Sequence, residues 1–432
     1  MRDLRFYITS NLGGGGQTVS RLFNYLEVLN KINSGQVNIL LNFRYLKYYK
    51  ENPPFYKYDP VFSNDIIENL DKSKDGISAF ISDKNNFDRL ETQNDVELTK
   101  NVSVLLDSGA GALIRNLLSK KEFSQDSVVS YFEELVEHHI SYLKDKRPNY
   151  AIALDYCDKN TYKDEVAKNP NISNTVNKLI SNKGKQLYLL EKSLKLSSEK
   201  NIVTKLYAPL HGESESEIVN NYKDIINIEN RLGLRFHGVA LGGLRQFSNK
   251  SDGNSVIGNI IARVKEIEPS KKIHVLGSSG LKRIIPFVYA GADSFDCHTY
   301  WRRANDGSRT GNSESKIVVP LLDSRKQLIE YKNDYFENIK LIDIDINSWS
   351  CDCFVCYDFG IVKLLNLYSN AKNTEEYYFA KILIYFHSVY QYQFLFNKLQ
   401  DMDNSEILSF VDSFKNTKFT TKLKDNLQQI KI

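Results

Sequence analysis

Short apolar runs alternate along this chain with longer amphipathic segments rich in Lys, Glu and Asn. The runs fall at Leu4–Thr9, Val37–Phe43, Val102–Leu106, Tyr150–Leu154, Ile202–Tyr207, Phe236–Leu241, Ile273–Leu276, Ala292–Phe295 and Ile339–Ile342. Each has the length of a β-strand. Between them lie segments with helical spacing of apolar positions, among them Ser127–Lys146, Val176–Leu196, Glu215–Arg231 and Val256–Glu268. Strand then helix, repeated about eight times, is how a parallel sheet is built, because parallel neighbours need a crossover. The pattern predicts an α/β protein with a closed (β/α)8 TIM barrel, although a doubly wound open sheet fits the same alternation.

The alternation changes after Asp345. A cysteine cluster comes first, then strongly aromatic helix-like stretches such as Tyr377–Leu395. The chain therefore divides into a barrel over 1–345, with a polar irregular insertion near 51–95, and a metal-binding subdomain over 346–432 whose helices are expected to pack on the barrel. No internal repeat or long low-complexity linker interrupts it.

Composition narrows the class. Of 432 residues, 41% are hydrophobic and 25% charged, which is neither a disordered nor a membrane composition. The apolar runs are far too short to cross a bilayer. The opening Met1-Arg2-Asp3-Leu4-Arg5 lacks the apolar core of a secretory signal, so a cytoplasmic location and no membrane partner are expected. The net charge of +4 permits nucleic-acid binding without requiring it. Basic pairs occur at Lys271-Lys272, Lys282-Arg283 and Arg302-Arg303, as a solvated face or a polyanion contact would have them.

The polar residues that matter sit where the apolar runs end. Asp107 follows Val102–Leu106, Asp155 follows Tyr150–Leu154, and His211 comes just after Leu210. Gly242 and Gly243 follow Leu241, and Asp296 follows Phe295. In a parallel barrel every strand ends on one face, so residues far apart in sequence converge there. One aspartate at a strand end is an ordinary helix N-cap. Three of them with a glycine pair read as a pocket instead. Several carboxylates in one cleft suit glycosidic-bond chemistry, in which one attacks the anomeric carbon while another, kept protonated, serves the leaving group. These features alone fit an ordinary glycosidase equally well.

The five cysteines are Cys157, Cys297, Cys351, Cys353 and Cys356. An odd number with three crowded into six positions is not a disulfide framework. Cys351, Cys353 and Cys356, with His387 on a helix-like segment, form a Cys3His set, which is a common closed site for structural Zn²⁺.

Taken together these residues resemble the tRNA-guanine transglycosylase superfamily, over most of the chain from about Leu105 to His387. The blocks that carry the resemblance are His274-Val-Leu-Gly-Ser-Ser-Gly280, Ala290-Gly-Ala-Asp-Ser-Phe-Asp-Cys297 and the Cys3His set. The resemblance implies a pentosyltransferase that exchanges guanine in a nucleic acid for a free 7-deazaguanine base. Asp296 matches the nucleophile that attacks C1′ of the ribose, and Asp107 the general acid/base beside Ser108. Asp155 matches the residue that reads the guanine-like edge, and Gly242 and Gly243 the backbone over the base. His211 stands where the family usually has a glutamine. Arg302 keeps a basic position near the nucleophile.

The sequence also departs from the superfamily's tRNA-acting members. After Asp107-Ser108-Gly109 they usually have Gly-Phe-Gln, where this chain has Ala110-Gly111-Ala112. After the nucleophile they have a Pro-Thr-Arg turn, where this chain has His298-Thr299-Tyr300-Trp301-Arg302. Tyr300 and Trp301 suit base stacking or packing at the barrel rim. The glycine run Gly13–Gly16 lacks the lysine of a phosphate-binding loop, and no RNA-binding module is read after the metal region. These departures resemble the divergent branch that acts on DNA, with tRNA as the alternative polymer and a non-catalytic partner subunit as a further reading. Family members often form homodimers, and a helper protein is a further partner that the resemblance admits.

Overall fold

The computed structural model describes residues 4–9, 37–42, 102–109, 125–154, 162, 166–174, 176–177, 183–248, 252–278, 280–297, 316–318, 338–340, 344, 346–351, 353, 355–370, 374–414 and 418–432. Eight parallel strands close into a barrel in chain order. They are β1 (Arg5–Thr9), β2 (Val37–Asn42), β3 (Val102–Asp107), β4 (Tyr150–Ile152), β5 (Lys205–Leu210), β6 (Gly238–Leu241), β7 (Lys272–Val275) and β8 (Ser294–Cys297). Closure is made by β8 pairing with β1, with Arg5 opposite Ser294 and Tyr7 opposite Asp296. Among the described residues the α-helices are α1 (Gln125–Lys146), α2 (Lys183–Glu199), α3 (Glu215–Leu232), α4 (Arg245–Ser248), α5 (Gly253–Ile267), α6 (Leu281–Tyr289), α7 (Ile361–Asn370), α8 (Thr374–Gln400), α9 (Asn404–Asp412) and α10 (Lys418–Gln429).

The open-sheet alternative is excluded by this closure, and one expected strand is placed elsewhere. The run at Ile339–Ile342 forms β10 (Asn338–Lys340), which pairs antiparallel with β9 (Lys316–Val318) in a separate two-stranded sheet. A second shift is in β5, expected at Ile202–Tyr207 and found three residues later. Ile202 donates its N–H to Ser197 O at 3.1 Å, finishing α2, and Val203 stands exposed to solvent. The strand then runs through Pro209, with Pro209 opposite Ala240. The insertion expected near 51–95 and the glycine run Gly13–Gly16 lie outside the described residues.

Strand alternation divides the apolar side chains into two cores. One set faces the helices: Phe6, Val104, Leu106, Ala151, Leu206, Ala208, Val239, Leu241, Ile273, Val275 and Phe295. The other fills the barrel: Tyr7, Leu40, Leu105, Tyr150, Ile152, Tyr207 and Ala240, with Leu276 against them. The inner set carries unusual polarity. The rings of Tyr7 and His274 lie 5.7 Å apart, those of Tyr207 and His274 6.2 Å, and Arg5 donates to the Tyr150 hydroxyl.

Local chemistry explains the helix ends. Ser214 accepts from Glu217 N at 3.2 Å and Glu217 accepts from Glu213 N at 2.7 Å, while Gly233 closes α3 in the left-handed region at φ 63°. On α9 the cap is reciprocal: Asp403 accepts from Glu406 N at 2.9 Å and Glu406 accepts from Asp403 N at 2.7 Å.

The end of the barrel where the strands begin is tied by ion pairs. Asp293 accepts from Lys265 and Lys272, both at 2.9 Å, and from Ile273 N. Lys271 is buried with Glu229 at 2.8 Å, and Glu229 also accepts from Phe236 N at 2.9 Å. The pair Lys271-Lys272 is therefore structural, which corrects its reading as a solvated or polyanion-binding face. Removing one member would leave a buried charge uncompensated.

Two histidines, His139 buried and His237 half-buried, make stability depend on pH. Burial pushes His139 down to about 3. Burial, with Lys205, Lys272 and Arg5 nearby, pushes His237 down to about 4. Both rings are neutral in the folded protein where the unfolded chain, at about 6.5, already takes a proton. The unfolded state thus binds more protons below that point, and stability falls as pH drops from about 6.5 towards 4, by up to about 1.4 kcal/mol per pH unit from His139. Urea midpoints measured between pH 7 and 5 should fall accordingly. His139→Phe should flatten that slope whatever it does to stability at pH 7, and an unchanged slope would refute the assignment.

Candidate active site

Alternation also decides which strand-end residues point into the barrel. Counting by two from inner residues places Asp107 beyond Leu105, His211 beyond Tyr207, Gly242 beyond Ala240, Leu276 beyond His274, and Asp296 beyond Ser294. All lie at the ends of their strands, the face where a parallel barrel gathers its loops. Three of those loops turn through glycine in the left-handed region: Gly109 at φ 68°, Gly243 at φ 68° and Gly277 at φ 60°. A side chain at these positions would be strained.

Asp296 is the most constrained of the group. It is 7% exposed and accepts from Gly277 N at 2.8 Å and from His274 Nε2 at 3.2 Å, both on Oδ1. The other ring nitrogen of His274, Nδ1, lies 2.9 Å from Ser294 Oγ. These contacts follow from register: His274 of β7 stands opposite Ser294 of β8, so its ring spans Ser294 and the next inward residue, Asp296. His274 is fully buried.

His211 and Gly242 fit together. A Cβ on Gly242 would come within 2.6 Å of His211 Cε1 and 3.0 Å of its Nδ1, with Leu276 Cδ1 at 3.2 Å. Asn221 Nδ2 holds the carbonyl of His211 at 2.7 Å, and Gln246 holds that of Gly212. Glycine at 242 leaves the space that the imidazole occupies. Asp107 closes β3 opposite Asn42, and Ser108 is buried after it. Asp155 and Arg302 lie outside the described residues, as do Tyr300 and Trp301. Among the expected site residues, the structure therefore places Asp107, Ser108, His211, Gly242, Gly243 and Asp296 at one end of the barrel. Sequence reasoning quoted His274 as part of a motif but gave it no partner. The available signal was its inward parity on a strand next to Ser294 and Asp296.

The second site lies in the C-terminal region. Cys351, Cys353, Cys356 and His387 bring their four ligand atoms within 4.8 Å of one another and could hold one metal ion. His387 Nδ1 is 3.6 Å from Cys351 Sγ and 3.3 Å from Cys353 Sγ and Cys356 Sγ. Zn–S and Zn–N bonds at tetrahedral angles imply an S···N separation of about 3.6 Å, so the donors fit that ion. The supporting shell is in place. Gln391 Nε2 donates to Cys351 Sγ at 3.1 Å and Trp349 Nε1 to Cys356 Sγ at 3.4 Å. Hydrogen bonding within the set pushes the Cys356 thiol down and the Cys351 thiol up.

The family model described as queuine tRNA-ribosyltransferase matches residues 101–420. A queuine tRNA-ribosyltransferase of Thermodesulfovibrio yellowstonii is 26% identical over 187 residues, 42% of this chain and 43% of that protein. One from Buchnera aphidicola is 25% identical over 228 residues, 52% of each. The matches thus span about half the length of these curated relatives. Among the described residues no helix is long and apolar enough to cross a membrane.

Two outcomes test the geometry. The purified protein should carry one equivalent of zinc by elemental mass spectrometry, and Cys353→Ser should lose both the metal and on the order of 5 kcal/mol of stability. Retention of a full equivalent by the variant would refute the ligand set. Gly242→Ala should displace His211 and cut any activity of the barrel by roughly 10- to 100-fold at little cost in stability, and a fully active variant would show that the imidazole position is immaterial.

Proposed function

The chain belongs to the queuine tRNA-ribosyltransferase (TGT) family, and from that premise we propose that it exchanges a guanine in a nucleic acid for a free 7-deazaguanine through a covalent aspartyl intermediate. The observation that carries the reading is the inward carboxylate of Asp296, fixed on one oxygen at the end of a closed barrel. A carboxylate held in this way is a pre-positioned nucleophile.

In the first step a carboxylate oxygen of Asp296 bonds to C1′ as the C1′–N9 bond breaks. The electron pair leaves on N9 of guanine, and Asp107 supplies a proton to the departing base. In the second step N9 of the incoming base gives its proton to Asp107 and attacks C1′, and Asp296 leaves as the carboxylate. Such a site requires the nucleotide to be turned out of its stack and read along the edge of its base. Asp155, Ser108 and His211 serve that reading, with Gly242 and Gly243 letting the backbone approach. Arg302 supplies a basic group for the nucleic acid. A structural zinc on Cys351, Cys353, Cys356 and His387 stabilises the C-terminal region and takes no part in these steps.

DNA is the polymer we favour, because Ala110-Gly111-Ala112 and His298-Thr299-Tyr300-Trp301 replace the loops usual in tRNA-acting enzymes. The tRNA reading is supported by the names of both relatives. Incubation with radiolabelled guanine and either duplex DNA or unmodified tRNA should label the DNA, and label in tRNA alone would reverse the choice of polymer. Asp296→Ala should lower exchange by roughly 10⁴-fold or more and abolish a denaturation-resistant protein–nucleic acid adduct. Near-normal exchange by that variant would remove Asp296 as nucleophile.

A further inference from the structure

We propose that His274 is the positioning residue of this site: from inside the barrel its Nε2–H holds Oδ1 of Asp296, so that Oδ2 is the oxygen that bonds to C1′, while Ser294 fixes the tautomer by donating to Nδ1. The inference rests on Asp296 as nucleophile and goes beyond it. It names which carboxylate oxygen reacts and what orients it.

The geometry has three parts. Among the described residues both hydrogen bonds to Asp296 fall on Oδ1, from Gly277 N at 2.8 Å and His274 Nε2 at 3.2 Å. An oxygen holding two donors in a buried site is the poorer nucleophile of the two, because its lone pairs are engaged. The carboxylate is therefore divided into a held oxygen and a working one.

The second part is polarity along the chain of contacts. Asp296 accepts as a carboxylate, so His274 donates from Nε2. A neutral ring then accepts at Nδ1, and Ser294 Oγ at 2.9 Å is the donor. Ser294, His274 and Asp296 thus form one directional series, from β8 to β7 and back to β8. Bonds aligned this way polarise one another.

The third part is rigidity. The imidazole is fully buried and walled by Tyr7 of β1 at 5.7 Å and Tyr207 of β5 at 6.2 Å between ring centres. Among the described residues the titratable groups against it are these two phenols and Asp296. A ring so enclosed cannot swing away from the carboxylate without displacing the barrel interior.

The test uses the intact protein and whichever polymer accepts label. His274→Phe removes the donor but keeps a flat ring, whereas His274→Gln restores an N–H at a similar reach. Single-turnover exchange of radiolabelled guanine should slow by about 10- to 100-fold in His274→Phe, with nucleic-acid affinity by fluorescence anisotropy within about threefold of the parent. His274→Gln should regain most of the rate. A His274→Phe rate within twofold of the parent overturns the proposal, as does a His274→Gln protein that folds yet is equally slow. Asp296→Ala separates the two readings: if it still exchanges, the nucleophile is wrong. If it is inactive while His274→Phe is normal, only the positioning role fails. A readout independent of turnover is the ¹⁵N spectrum of the histidines, in which His274 should be the neutral Nε2–H tautomer and Ser294→Ala should populate the other. An Nδ1–H ring in the parent protein overturns the proposal outright.

Discussion

Closure of the sheet by β8 against β1 is the constraint on which the site depends. An open sheet would leave β8 on an edge, and its alternate residues would face solvent or a helix on either side. Once Tyr7 stands opposite Asp296, both faces of β8 are committed. Phe295 goes outward into the helix layer, while Ser294 and Asp296 go inward. Burying a carboxylate costs free energy unless donors meet it. Gly277 N and His274 Nε2 meet it here, and the donors come from the next strand. The buried acid is thus a consequence of neighbouring strands in fixed register.

That register is held from below. Asp293, just before β8, joins Lys265 of α5, Lys272 of β7 and the Ile273 amide, and its carbonyl accepts from Arg5 N at 3.0 Å. The three strands that meet at closure therefore share one acidic residue. A one-residue slip of β8 would turn Phe295 into the barrel and Asp296 into the helix layer. Fixing the strand starts fixes which side chain stands at their ends.

Much of this was legible without coordinates, and the misses have physical causes. The alternation of runs predicted the barrel but fitted an open sheet as well, and it is the pairing of β8 with β1 that decides between them. β5 was misplaced because apolar Ile202 and Val203 look like a strand start and Pro209 like a strand stop. The chain instead uses the Ile202 N–H to close off the end of α2, and β5 runs on through Pro209. Lys271-Lys272 looked like a basic surface because its partners, Glu229 and Asp293, lie 42 and 21 positions away. His274 was overlooked for the related reason that its partners are across a strand boundary, and cross-strand register is not written in spacing along one strand. The strand-end acids were legible because the barrel itself supplies their meeting place.

The C-terminal region is joined to the site through one helix. α8 carries His387, whose Nδ1 faces the three sulfurs, and nine positions further on it carries Phe396. That ring stacks on Phe6 of β1 at 5.0 Å and lies 5.3 Å from Phe295 of β8. Tyr392 of the same helix also stacks on Phe6, at 6.4 Å. The two closing strands thus rest their outward aromatic residues on the helix that contributes the metal set's only imidazole. Aromatic side chains bury large areas and tolerate little displacement once interdigitated. A ligand set far from the chemistry therefore shares a rigid element with the strand that carries Asp296. The cysteines bear on the site through that helix: they hold His387 at its middle, and Tyr392 and Phe396 further along it back β1 and β8.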